Sequence, residues 1–540
     1  MISALRLVSL VAIAAALVDM VPTRAAERSA AQQQPAAKAP GEVKPPRAAI
    51  TISKETTWIT GPLRKDGYVD YIAALNERCR QGVTVESNSA VPFLRAMWPA
   101  EIIDPKHREE CCRTLGIPTL PDKGDYFVRL EKYARPGPDG GNAQDETWEQ
   151  LTQAMKRPWT PKDFPRLADW LAANEKPLSL VLEASKRPRR YDPLLSVYDS
   201  VIAVLLPTVQ VHREAARALT ARAMLRTGQG KVDEAWSDLL ACHRLARLAG
   251  QGTTLIEALV AIAVDGLACA GDQGLLAGVR LSARQAASMR EDLAKLPPLP
   301  VMADKIDLGE RFIFLDCVAM LAREGLSSLN NLVNLVHGNK KSDGILTSAL
   351  DAVARSAVDW DHILRMGNSW YDRMVAAGRK PTRPERQEAF RKIDQDIRKL
   401  AAEVRDPKSI ALSLLGGTRH AISERLGQLL VALLHPALSI ATNAEDRGAM
   451  QLELTKVAFA LAGYRADHGS YPVKLADLTP KYVSEVPKDV FSGADLHYAR
   501  EGTGYVLYSV GVNGKDDGAK GREDAKLGET WDDLVVRIRE

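Results

Sequence analysis

The sequence predicts a mainly α-helical array that ends in a small α+β module at the C-terminus. Three observations carry this. From Asp145 to Arg405 apolar residues recur at spacings of three and four, the period of one helix face. That stretch is punctuated by Lys-Pro, Arg-Pro and Gly-x-Gly, which stop helices and join helix pairs. After Asp446 the texture changes: one long helical pattern gives way to short runs rich in aromatic and β-branched residues, which read as strands.

The chain opens with Arg6, an uncharged run from Leu7 to Val18, then Asp19, Pro22 and the small residues around Ala25. The run is shorter than the ~20 residues needed to span a bilayer. Residues 1–25 therefore read as a secretory signal peptide cut after Ala25 or Ala26, with an uncleaved anchor as the alternative. The expected location is periplasmic or extracellular, with membrane association only through this segment if it stays uncleaved. No other segment is expected to be long and apolar enough to cross a membrane. Residues 26–50 are mostly Ala, Gln, Pro and charged residues, and predict a disordered tether.

The 540 residues carry 72 basic and 68 acidic side chains, a net charge of +4. Both signs are interspersed without a basic stripe, which argues against nucleic acid as a partner. Six cysteines in an exported chain of this length do not make a disulfide framework. Cys242, Cys269 and Cys317 sit in apolar helical stretches and are expected in the core. A bridge from Cys79 to Cys111 or Cys112 is an open alternative.

Residues 51–135 predict a module of short helices: Tyr68 to Arg80, Pro105 to Leu115 with Gly116 after it, and Tyr126 to Tyr133. The segment Trp58 to Asn76 resembles the opening of large exported proteins of planctomycete bacteria, a likeness that implies export but no activity. Asn76 and Asn88 are expected to cap helices or turns, with a functional polar role as the alternative.

A Pro- and Gly-rich stretch at 136–143 separates this module from the helical array, residues 145–442. Its clearest hairpin is Arg213 to Thr227, the turn Gly228-Gln229-Gly230, then Val232 to Ala249. Ala221, Leu225, Gly228, Glu234-Ala235 and Ala241 resemble a single tetratricopeptide-type hairpin, and only one copy is legible. Pro297 to Pro300 and Gly338 to Gly344 are predicted breaks. Arg383 to Arg405 reads as a solvated helix face.

No catalytic motif is present. His-Glu-x-x-His, the P-loop and the Gly-x-Ser-x-Gly elbow are all missing. The best polar cluster is Asp359, Asp361 and His362, where a spacing of three places Asp359 and His362 on one helix face, with Trp360 and Trp370 nearby. A surface pair on a helix is the plainer alternative.

Residues 446–540 predict a helix from Arg447 to Ala466, a C-cap at His468-Gly469, and an extended start at Pro472. A second helical turn follows from Leu475 to Tyr482. A hairpin of Leu496 to Tyr498 with Tyr505 to Val510 comes next. Ala458 to Tyr464, Gly469-Ser470-Tyr471-Pro472, Leu475 to Leu478, Pro487-Lys488-Asp489 and Tyr505 to Gly514 come in the order seen in the globular part of the type II secretion pseudopilins, and the module resembles protein G, the major pseudopilin. The resemblance stops at Asp446, before which no pseudopilin processing site lies, so pilus assembly does not follow from it.

Asn513 to Gly518 is an acidic glycine loop. Clustered Asp and Asn on a flexible turn suit calcium, which takes about six to eight oxygens. The EF-hand pattern fails, because counting from Asn513 the third residue is Lys515 and the twelfth is Asp524. The resemblance to protein G implies Asn513, Asp516, Asp517 and Asp533 as calcium ligands, and an ordinary solvated turn is the alternative. The expected function is that of an exported, non-catalytic envelope protein that binds a protein partner through the C-terminal module. A component or accessory of type II secretion, or an exported enzyme with its site in the helical body, are the alternatives.

Overall fold

The structure is a computed structural model describing residues 50–98, 105–133, 143–196, 200–205, 207–325, 328, 358–403, 418–524 and 529–539. The signal segment, nearly all of the tether and the Gly338 to Gly344 break lie outside these residues. The chain is mostly helical, with a three-stranded antiparallel sheet near its C-terminus.

Helices α1 (Tyr71–Arg80), α2 (Ala90–Met97) and α3 (Pro105–Leu115) form the first part. Asp70 caps α1, its carboxylate accepting the Ala73 amide at 2.9 Å. The third helix expected here, Tyr126 to Tyr133, is only a 3-10 turn over Leu130–Tyr133. The residues before it are extended because other elements take their backbone groups. The Phe127 amide donates to Ala96 O, the Val128 amide to Asn174 Oδ1, and the Trp170 indole donates to Val128 O at 2.7 Å. Helices α4 (Ala143–Lys156), α5 (Pro165–Ala173) and α6 (Glu175–Ser185) follow, then a two-stranded ribbon, β1 (Leu195–Ser196) with β2 (Val204–Leu205).

The centre is a mutually packed trio, α7 (Pro207–Gly228), α8 (Val232–Ala249) and α9 (Leu255–Gly278). The predicted hairpin is α7 and α8. Gly228 has no room for a side chain, since a Cβ there would lie 2.2 Å from Trp159 O. A capping box opens α9: Thr254 accepts the Glu257 amide while the Glu257 carboxylate accepts the Thr254 amide. Helix α10 (Ala283–Ala294) precedes the predicted break at Pro297 to Pro300. Then α11 (Met302–Lys305) runs through a π-helical turn, Ile306–Glu310, into α12 (Arg311–Glu324).

Helices α13 (Trp360–Gly378), α14 (Arg383–Glu403) and α15 (Arg419–Leu434) pack on one another and precede α16 (Leu438–His468), the longest described helix. The charged α14 is solvated on one face only. It buries Phe390, Ile393 and Ile397, and Arg383 and Arg386 both bind the Asp446 carboxylate of α16 at 2.8 Å. Among the described residues one stretch, Arg419–His468, is long and apolar enough to cross a membrane by length and composition. This differs from the expectation of none, and the helix breaks within it, between Leu434 and Leu438.

Gly469 ends α16 with a φ of +78° and donates to Arg465 O at 2.8 Å. A 3-10 turn, Leu475–Leu478, leads to the sheet β3 (His497–Glu501), β4 (Gly504–Ser509) and β5 (Leu534–Ile538), in that order. Strand β5 was not expected, although Leu534, Val536 and Ile538 alternate inward.

Two large cores hold these elements. One joins α2 and the central trio to α10, the later turns of α16 and the sheet. The other joins α1, α11, α12, α13, α14 and α15 to Leu438 and Ala441 at the start of α16. Helix α16 therefore begins in one core and ends in the other, where the Phe459 ring meets Trp236 of α8 edge-on at 5.4 Å. Neither core depends on a disulfide: all six cysteines are free, so the bridge from Cys79 to Cys111 or Cys112 is absent. Cys242, Cys269 and Cys317 are buried as expected.

Candidate functional site

The acidic loop joins β4 to β5. Its oxygens do not all face one point. Asn513, Asp517 and Asp533 come together: Asn513 Nδ2 donates to Asp517 Oδ2 at 2.9 Å, and the Asp517 amide donates to Asp533 Oδ1 at 3.3 Å. Asp533 Oδ2 accepts the Ala519 amide at 2.9 Å. Asp516 turns the other way, accepting from the Tyr508 hydroxyl at 3.1 Å and facing His497 at 3.6 Å. Burial first, and then the neighbouring Asp517 charge, raise the Asp533 pKa, while amide donors oppose this. Asp532, next in the chain, is tied to Arg447 and Arg522 and accepts the Val512 and Asn513 amides.

The Asp359 cluster divides into three separate tasks. Asp359 is the N-cap of α13 and accepts the His362 amide at 3.1 Å. Asp361 accepts the Thr51 amide at 2.9 Å. The His362 ring turns away from both, to Glu424 and His420 on α15. Trp360 is buried, and Trp370 carries the Arg373 guanidinium over its ring at 4.4 Å.

Sequence reasoning missed the charges inside the central trio. Asp238 of α8 holds Arg222 of α7 in a two-bond clasp, 2.8 and 3.0 Å, and also binds Arg226. One turn further, His243 of α8 stands between Asp265 and Asp272 of α9, with Arg247 on Asp265. A count of helix positions could have found them, because Arg222 and Arg226 are four apart, as are His243 and Arg247.

A third group gathers where α9 starts. Lys305 donates to the carbonyls of Gly250 and Gly252, and Glu257 is held by Thr254. Burial lowers the Lys305 pKa, raises that of Glu257 and pushes the Cys79 thiol up to about 11. A thiol so raised is a poor nucleophile. The lysine and carboxylate are engaged in closing backbone turns. A separate groove of about 320 Å³ lies between α14 and α16, where Asp394 accepts from the Ser439 hydroxyl at 2.9 Å.

Compared with protein-family models, curated proteins and solved structures, the chain has no match.

Proposed function

We propose that the chain is an exported, non-catalytic protein of the cell envelope that presents a pseudopilin-like C-terminal module to a protein partner. One observation carries the reading. Residues 438–539 follow the order long helix, left-handed glycine cap, short helical turn, antiparallel hairpin, acidic loop and third strand. This order is consistent with the resemblance of residues 446–540 to protein G. The first turns of α16 pack within the helical body, where Gly448 approaches Ile262 so closely that a Cβ would lie 2.9 Å from its methyl group. The helix is thus buried in its own chain, and the module acts as a fixed head on that body rather than as a fibre subunit.

Calcium belongs to the same reading. Asn513, Asp517 and Asp533 would hold the ion, and a cation there would relieve the crowding of the Asp517 and Asp533 carboxylates. Asp516 lies outside that set. Calcium should raise the melting temperature of the full chain, and the Asp517→Asn, Asp533→Asn double variant should lose the rise. An unchanged melting temperature in the parent chain removes calcium from the reading.

Removing residues 446–540 would expose the core that the central trio shares with the sheet, so the partner is better tested at the surface. Val473 is 77% exposed and Arg500 is exposed on β3. Val473→Asp with Arg500→Glu should leave the fold intact and eliminate a specific subset of the proteins captured from native envelope. An identical set captured by parent and variant argues that this face is not the working one.

A further inference from the structure

Three metal-ligating groups meet on the outside of the helical body. His362 comes from α13, and His420 and Glu424 come from α15. His420 and Glu424 are four residues apart and share a face of α15, and His362 stands opposite them. One donor atom from each residue lies within 4.8 Å of the other two. His362 Nε2 is 2.7 Å from Glu424 Oε2, and the two imidazoles meet edge-on at 4.8 Å between centroids. His420 is exposed and the other two are partly exposed, so a hydrated ion has access.

The backbone around this cluster is locked. The Asp359 amide donates to the Ser423 hydroxyl at 2.7 Å, which joins the first turns of α13 and α15. Three residues beyond Glu424 the helices approach closely, for a Cβ on Gly427 would stand 2.8 Å from the Met366 sulfur. Gln428 donates to Glu424 Oε1 at 3.0 Å and leaves Oε2 facing the histidines. Ligands held this way on packed helices need little reorganisation to close on an ion.

We infer that His362, His420 and Glu424 form a binding site for a divalent transition-metal ion of the zinc type. Two imidazoles and one carboxylate suit zinc, whereas calcium and magnesium favour all-oxygen sites. Zinc–nitrogen bonds of about 2.0–2.1 Å bring ligand atoms to roughly 3.3 Å apart, within reach of side-chain rotation from the spacing seen here. The ion replaces the hydrogen shared by His362 Nε2 and Glu424 Oε2. Three protein ligands leave a fourth position to water, and the ion ties α13 to α15.

The test uses the mature chain without a polyhistidine tag, stripped with a chelator and titrated calorimetrically with zinc chloride. One zinc ion per chain is expected, without competition from calcium or magnesium. His420→Ala and Glu424→Ala, both at the surface and checked for an unchanged circular dichroism spectrum, should each weaken binding on the order of tenfold or more. Copper(II) loaded in place of zinc should show hyperfine coupling to two imidazole nitrogens in its electron paramagnetic resonance spectrum, and to one in His420→Ala. Absence of zinc binding, equal affinity in parent and both variants, or a copper spectrum unaltered by His420→Ala overturns the proposal.

Discussion

His243 Nε2 lies 2.9 Å from Asp272 Oδ2 in a place where neither side chain has any exposure. The other ring nitrogen meets Asp265 at 2.6 Å, so one imidazole spans two carboxylates of α9. Burial raises the Asp272 pKa and the histidine opposes the rise. Asp265 Oδ2, Asp272 Oδ1 and Arg247 Nη2 are buried with no hydrogen-bond partner among the described residues, so the network is incompletely satisfied there even when intact. His243→Ala strips both carboxylates of their shared partner and should destabilise the chain by about 3–5 kcal/mol. Replacing His243, Asp265 and Asp272 with leucine and Arg247 with methionine, all together, should recover much of that loss, since packed apolar groups avoid the desolvation cost and no buried charge is left unpaired. Denaturant unfolding of the two variants measures both effects.

Glu310 closes the π-helical turn, and its carboxylate accepts the Leu255 amide at 3.4 Å. Burial pushes its pKa up to about 7. A carboxyl whose folded pKa lies above its unfolded one binds its proton more tightly when folded. Stability from this group is therefore greatest at low pH, falls as pH rises from about 4.5 to about 7, and stays low above that. Glu310→Gln removes the titration. The variant should match the parent near the bottom of that window and exceed it by about 3 kcal/mol at alkaline pH. Melting temperatures across the window test this, and parallel curves for parent and variant would refute it.

Gly228 separates α7 from the turn into α8, and the carbonyl of Trp159 fills the place of its missing side chain. The Trp159 indole in turn donates to Ala221 O of α7 at 3.0 Å, so the tryptophan cannot easily retreat. Gly228→Ala should cost about 1–3 kcal/mol by overpacking. Gly230→Ala, two residues on, faces open space but has a φ of +75°, so its cost is backbone strain alone, about 1–2 kcal/mol. Thermal unfolding of the two variants should leave the first with the lower melting temperature.

Much of the helical body was legible because amphipathic periodicity and Pro or Gly stops are local signals. The pair α7 and α8, the cap at Gly469 and the hairpin of β3 with β4 all follow from residues within a few positions of one another. What escaped notice depends on distant partners. His362 and His420 are 58 positions apart and meet only because α13 and α15 pack, while the local spacing suggested a pairing with Asp359 on one helix face that the structure replaces with an N-cap. Tyr126 to Arg129 has helical spacing, yet Asn174 and Ala96 take its amides. Strand β5 is five residues long and follows a long loop after β4, so its alternation had no neighbouring strand signal to support it.

Asn76 and Asn88 show the same dependence and give a sharp test. Neither merely caps a helix. Asn76, inside α1, accepts the Leu194 amide at 2.8 Å and donates to Leu194 O at 3.0 Å. Asn88 does the same to Tyr191, at 3.0 Å in both directions, and also accepts the Ala90 amide. Two side-chain amides thus stand in for a neighbouring strand along residues 191–194, satisfying backbone groups that have no sheet to pair with. Removing either amide leaves an N–H and a C=O without partners, at a cost of about 1–3 kcal/mol. The loss should also be local. In Asn76→Ala the Leu194 amide should exchange its hydrogen faster while the Tyr191 amide keeps its protection, and Asn88→Ala should reverse the pattern. Site-resolved hydrogen exchange would show this, and uniform acceleration across both positions would mean the segment opens as one unit rather than at two separate clasps.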